Sequence, residues 1–139
     1  MTIRVAVTNQ KGGVGKTTTA VNLAASLTKA NRNVLLIDID PQGNASSAAG
    51  IKKNSESSLY EFFNSEEKIE RFIIEASGGY DIIPANNNLV AAEKIIEKTE
   101  NREKYFSAHL KKLPKKYDYI LIDCPPSLNL LTINSMEFC

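Results

Sequence analysis

The chain has 139 residues, of which 42% are hydrophobic, enough for one domain with a real core and no more. With 17 basic and 16 acidic residues the net charge is +1, so composition gives no argument for a nucleic-acid or membrane-surface partner. Cys124 and Cys139 form neither a disulfide framework nor a Cys-x-x-Cys metal pair, no apolar run approaches the roughly 18 residues of a spanning helix, and the first strand starts too early for a signal sequence; a cytoplasmic protein is expected.

Residues 3–8 read as a first strand and 16–30 as a helix, with Ala20, Leu23, Ala24 and Leu27 in one apolar stripe and Asn31 as its C-terminal cap. Between them lies Asn9-Gln10-Lys11-Gly12-Gly13-Val14-Gly15-Lys16-Thr17-Thr18. A strand, a glycine-rich turn and a helix in this order are the context of a phosphate-gripping loop. Polyphosphate oxygens are closely packed and anionic, so a site must bring many donors close without bulky side chains in the way. Glycine lacks Cβ and reaches positive φ without strain. Gly12, Gly13 and Gly15 therefore suit a nest of backbone N–H groups that leads into a helix N-terminus. Lys16 adds a full positive charge toward the β- and γ-phosphates, and the Thr17 hydroxyl suits Mg²⁺.

A second strand is expected at 34–39, apolar at nearly every residue as when both faces are covered. It runs into Asp38-Ile39-Asp40-Pro41-Gln42-Gly43-Asn44. Residues at i and i+2 share a face, so Asp38 and Asp40 project together at the strand's C-terminal end, where ligands sit in a parallel sheet. For either acid alone, capping of the turn before Pro41 is the alternative.

Residues 41–57 are rich in Gly, Ser, Asn and Ala and read as a loop able to move with nucleotide state. Ser58 and Glu61 make a capping box. A helix is expected at 66–75 with Ile69, Phe72 and Ile73 inward, ended by Gly78-Gly79, then a strand at 80–83 and helices at 89–97 and 102–113, the latter turning Phe106, Leu110 and Leu113 to the sheet. Tyr119-Ile120-Leu121-Ile122-Asp123 is a buried strand with a carboxylate at its tip, suited to holding Mg²⁺ through water. The chain then enters the first turns of another helix.

His109 has no accompanying catalytic constellation and reads as a surface or partly buried residue. Lys111, Lys112, Lys115 and Lys116 read as a solvated helix end, with a DNA contact as the minority alternative.

Three elements on successive strand tips carry a family resemblance: Lys11-Gly12-Gly13-Val14-Gly15-Lys16-Thr17, the Asp38 to Asn44 run, and the strand ending Asp123-Cys124-Pro125-Pro126. Together they resemble the deviant Walker A ATPases typified by ParA/Soj partition proteins and MinD. Gln10 stands where the general Walker A pattern has its first glycine, and Lys11 follows it. The resemblance implies an α/β fold, a mostly parallel sheet with helices on both faces, of P-loop NTPase type. It also implies ATP and Mg²⁺ as ligands.

The same resemblance assigns roles. Lys11 reaches the phosphates bound by the partner subunit of an ATP-dependent homodimer. Gly12, Gly13, Val14, Gly15, Lys16 and Thr18 hold phosphates, Lys16 also acting in catalysis, and Thr17, Asp40 and Asp123 make the Mg²⁺ site. Asp40 orients the attacking water near the metal, and the role of Asp38 is left open. A centromere-binding partition protein and nonspecific DNA are the implied partners, in chromosome or plasmid partitioning. A MinD-like membrane-cycling ATPase and an inert fragment that only binds nucleotide are the alternatives. Residues 1–139 would be a partial domain of four strands, corresponding to the N-terminal half of the family domain.

Overall fold

A computed structural model describes residues 1–8, 15–52 and 56–139. The strands are β1 (Ile3–Val7), β2 (Val34–Asp38), β3 (Ile74–Glu75), β4 (Asp81–Ile83) and β5 (Tyr119–Asp123). They form one five-stranded sheet in the order β1-β5-β2-β4-β3. All neighbouring pairs are parallel except β3 with β4. The helices are α1 (Lys16–Lys29), α2 (Asn44–Ala48), α3 (Leu59–Phe63), α4 (Leu89–Glu97), α5 (Tyr105–Leu110) and α6 (Leu130–Phe138).

The period of two along each strand divides the core in two. Val34, Leu36, Ile82 and Leu121 face one side, where Ala20 and Ala24 of α1 and Ala45 and Ala49 at α2 pack on them. Leu35, Ile37, Ile83, Ile120 and Ile122 face the other, against Leu59, Leu89, Ile96, Phe106, Leu110, Leu131 and Phe138. Every residue of β2 is buried, as its unbroken apolar run requires for a strand flanked by β5 and β4. Helices thus cover both faces, and the expected α/β architecture is the observed one.

Four local expectations are corrected. The stretch 66–75 is not a helix: Ile69–Phe72 forms a 3₁₀ turn, and the chain then extends into β3. Ile69 and Phe72 are buried as expected, because a spacing of three fits a 3₁₀ turn as well as an α-helix. The β-branched Ile73 and Ile74 then favour the strand. Gly78-Gly79 accordingly closes a hairpin, with Gly79 at φ +86° and a Cβ on Gly78 falling 2.7 Å from the Tyr80 ring. This adds a fifth strand to the four expected.

Second, the 41–57 stretch contains α2, which starts at Gly43 in the left-handed region and stops before Gly50 at φ +87°. Third, residues 102–113 split into a 3₁₀ turn, Arg102–Lys104, and the short α5, although Phe106, Leu110 and Leu113 all reach the core. Fourth, Leu23 is 37% exposed and drops out of the α1 stripe, which Ala20 and Ala24 lead. Asn31 does take the left-handed conformation after α1, at φ 63°.

An aromatic cluster fastens α3 to α5. The Phe63 ring lies 5.6 Å from Phe106 and 5.1 Å from Tyr105, and His109 stacks on Tyr105 at 4.0 Å. His109 Nδ1 lies 2.9 Å from the Tyr105 carbonyl oxygen, which makes it a packing residue. Phe106, packed on the Phe63 ring, is fully buried. Phe106→Ala is expected to destabilise the protein by about 3–5 kcal/mol. Urea unfolding should register this as a lower midpoint with an unchanged slope.

Candidate functional site

The order of the sheet places three strand tips side by side. β5 lies between β1 and β2, with Val7 opposite Asp123 and Asp123 opposite Asp38 in register. Leu36 and Leu121 face α1, so Asp38 and Asp123, two residues further on, face it too. That face is where α1 delivers its first turn. Gly15 turns the chain into α1 at φ 79°, a conformation costly for a residue with a Cβ, and its carbonyl accepts from Thr19 N–H and Thr19 Oγ1, both at 2.9 Å.

Lys16 and Thr17 then meet the acid of β5. Lys16 Nζ lies 2.5 Å from Asp123 Oδ1, with the two side chains 10% and 0% exposed. Thr17 Oγ1 donates to Asp123 Oδ2 at 3.0 Å. Burial pushes the Asp123 carboxyl above its ordinary range; Lys16 and Thr17 pull it down, and the charge of Asp40 pushes it up. Thr18 lies on the exposed side of the same turn.

The tip of β2 solves its charge problem differently. No cation is paired with Asp38 among the described residues; backbone and hydroxyl donors surround it instead. Oδ1 accepts the Asp40 N–H at 3.1 Å, and Oδ2 accepts the Ser46 N–H at 2.9 Å and the Ser46 hydroxyl at 2.7 Å. Burial raises this carboxyl to about 7, opposed by Ser46 and the Asp40 N–H and reinforced by the nearby charge of Asp123. Asp38 therefore caps the turn and also stands beside Asp123. Asp40, 5% exposed, accepts the Gln42 N–H at 3.0 Å through Oδ1.

Of the residues expected at a site, the structure gathers Lys16, Thr17, Asp123, Asp38 and Asp40 at one end of the sheet. Lys11, Gly12, Gly13 and Val14 lie outside the described residues. In the sequence Ser46 is one of several small polar residues in 41–57, and its spacing of eight from Asp38 belongs to no regular element, so it carries no signal there. Cys124 is buried beside Asp123, and burial pushes its thiol up to about 12, so it is no nucleophile.

The donor chemistry fits Mg²⁺. A threonine hydroxyl and a buried carboxylate are hard oxygen donors, and Mg²⁺ is commonly held by one or two carboxylates together with substrate phosphates. No group of three or more His, Cys, Asp or Glu forms a ready metal cage among the described residues, as that mode of binding requires none.

Residues 2–139 match the family described as AAA domain. The chain belongs to this family. Within the AAA domain family its resemblance to ParA/Soj proteins holds along nearly its whole length. It is 47% identical over 134 residues to the chromosome partitioning protein ParA of Myxococcus xanthus, covering 95% of this chain and 47% of that protein. It is 48% identical over 135 residues to the sporulation initiation inhibitor protein Soj of Bacillus subtilis, covering 95% of this chain and 53% of that one. The chain thus spans about half the length of the curated relatives it matches. Among solved structures, the cobyrinic acid a,c-diamide synthase of Mycobacterium smegmatis with bound ADP and magnesium superposes with a TM-score of 0.94 at 37% identity, covering 100% of this chain and 57% of that one. None of the helices among the described residues of this AAA domain is long and apolar enough to cross a membrane.

The position of Asp38 has a measurable signature. Its folded carboxyl titrates near 7, against 3.8 as the ordinary value, so the folded state holds a proton that the unfolded chain has released. The stabilisation this gives is complete below the ordinary range and is lost as pH rises through about 7. Asp38→Asn removes the titration. Its melting temperature relative to the parent is expected to climb from about pH 4 to about pH 7 and to level off above that. Differential scanning calorimetry across that range checks the slope, and a flat difference would contradict the raised carboxyl.

Proposed function

We propose that this chain is the nucleotide-gripping part of a Mg²⁺-dependent ATPase of the ParA/Soj kind, a nucleotide-switched dimer in chromosome or plasmid partitioning. The observation that supports this most is the buried cluster of Lys16, Asp123 and Thr17 at the exit of β1, with Asp38 and Asp40 on the neighbouring tip. Lys16 is held there as a cation in a nearly dry site. In the ATP-bound protein its ammonium would leave Asp123 for phosphate oxygens, where a desolvated charge acts most strongly. Asp123 and Thr17 would then hold Mg²⁺, which when bound neutralises charge on the β- and γ-phosphate oxygens.

The backbone amides of Gly12, Gly13, Val14 and Gly15, with Thr18, would cradle the phosphates. Asp40 would place the attacking water on the metal side of the site. Lys11, supplied by the partner subunit, would offset charge on the transferring phosphoryl group as an arginine finger does elsewhere. The residues present would form a partial domain, and the intact cytoplasmic protein would add the surface for nonspecific DNA and a centromere-binding partner. The names of the ParA and Soj relatives support the biological part of this reading, and the ADP- and magnesium-bound relative supports the ligands.

ATP turnover with Mg²⁺, read beside ATP-driven dimerisation by light scattering, tests the proposal. Lys11→Ala is expected to lower turnover by about 10³-fold or more and to prevent dimerisation. Asp40→Ala should keep the ATP-bound dimer and lose hydrolysis. Parental turnover in both variants would remove these residues from the mechanism. A parent chain that gains no thermal stability from Mg-ATP would remove the nucleotide site itself.

A further inference from the structure

Ser46 is 4% exposed and has no part in the nucleotide-binding roles above. Its hydroxyl nonetheless both donates and accepts. The hydroxyl gives its one proton to Asp38 Oδ2 at 2.7 Å, and the same oxygen accepts the Ala85 N–H, just beyond β4, at 2.9 Å. The Ser46 N–H adds a second donor to Asp38 Oδ2 at 2.9 Å. With Oδ2 held twice, Oδ1 is left facing the backbone of Asp40, whose N–H it accepts at 3.1 Å. A continuous set of bonds thus runs from the end of β4 through Ser46 and Asp38 to the main chain of Asp40.

We propose that Ser46 is a positioning residue for Asp40. By clamping the Asp38 carboxylate against the end of β4, it fixes where Asp40 stands relative to the Lys16–Asp123 pair. This rests on the role proposed above for Asp40 in hydrolysis. The physical reason is the bridge to β4. Without the hydroxyl Asp38 keeps one backbone donor on each oxygen, from Asp40 and Ser46, but loses the bonded link through Ser46 Oγ that ties it to Ala85. Without that hydroxyl the Ala85 N–H also loses a buried acceptor, and the segment that carries Asp40 is released from β4. Errors of about 1 Å in a reacting arrangement can cost about 100-fold in rate. The phosphate-binding roles proposed above fall on residues 11–18 and not on Ser46, so nucleotide affinity is set apart from this clamp.

The test compares the full chain with Ser46→Ala and Ser46→Thr by amide hydrogen exchange and by steady-state ATP hydrolysis. In Ser46→Ala the Asp40 and Ala85 amides should exchange at least about tenfold faster while those of Leu36 and Ile37 keep their protection. The kcat should fall about 10- to 100-fold with KM for Mg-ATP unchanged. Ser46→Thr keeps the hydroxyl and should restore both. Unchanged exchange at Asp40 in Ser46→Ala overturns the proposal, as does an equal loss of kcat in Ser46→Thr. If Ser46→Ala does not fold, Ser46→Cys replaces it, and full protection of the Asp40 amide with that weaker donor also overturns the proposal. A parent without hydrolysis counts against the proposed function alone, because the exchange experiment still decides whether Ser46 holds Asp40.

Discussion

Two carboxylates buried next to each other, on adjacent strands of a parallel sheet, are the constraint on which the rest of this structure turns. Withdrawing one ionised carboxylate from water costs several kcal/mol unless a partner compensates it. Asp123 finds that partner in the Lys16 ammonium at 2.5 Å, together with the Thr17 hydroxyl. Asp38, facing Asp123 across the ladder, is not itself bonded to that cation and relies on three hydrogen-bond donors and a tendency to keep its proton. The pair remains tolerable because the two acids are satisfied in different ways. A site so arranged is tense toward further negative charge except where a cation accompanies it, which suits a nucleotide that arrives with a metal ion.

The sheet order creates this constraint, and the core maintains it. If β5 were not inserted between β1 and β2, Asp123 would not lie opposite both Val7 and Asp38. The insertion is held from both sides. Leu121 joins the alanine-rich layer under α1 and α2, while Ile120 and Ile122 join the larger layer under the remaining helices. Alanines at 20, 24, 45 and 49 let α1 and α2 approach the sheet closely, which brings the first turn of α1 within reach of the strand tips. The opposite face carries the larger side chains, Phe106, Leu110, Ile96 and Phe138 among them. Positioning chemistry and cohesive packing are thereby assigned to different faces.

Much of this was legible in the residues. The unbroken apolar run of β2, the apolar strand ending at Asp123 and the helix at Leu89–Glu97 each have one physical reading, and each stands as expected. Lys16 and Thr17 were legible as the residues that open α1, and Asp123 as the acid at the tip of an apolar strand. The segment around Ile69 and Phe72 was not, since a separation of three suits an α-turn and a 3₁₀ turn alike, and the strand that follows is decided by its pairing with β4. Ser46 was illegible for another reason. Its significance comes from Ala85, 39 residues away, and from the orientation of Asp38, neither of which leaves a mark on the local composition.

Gly43 shows how narrow the tolerances of such a tip are. It leads the chain from Asp40 into α2 at φ +67°, and a Cβ there would lie 3.4 Å from the Ala85 carbonyl oxygen. The distance is close to ordinary contact, so it is the left-handed backbone that restricts this position. Only glycine, or an asparagine of the kind that takes the same conformation at Asn31 and Asn101, fits this joint without strain. The bend between Asp40 and Ser46 is consequently a fixed corner of the strand tip.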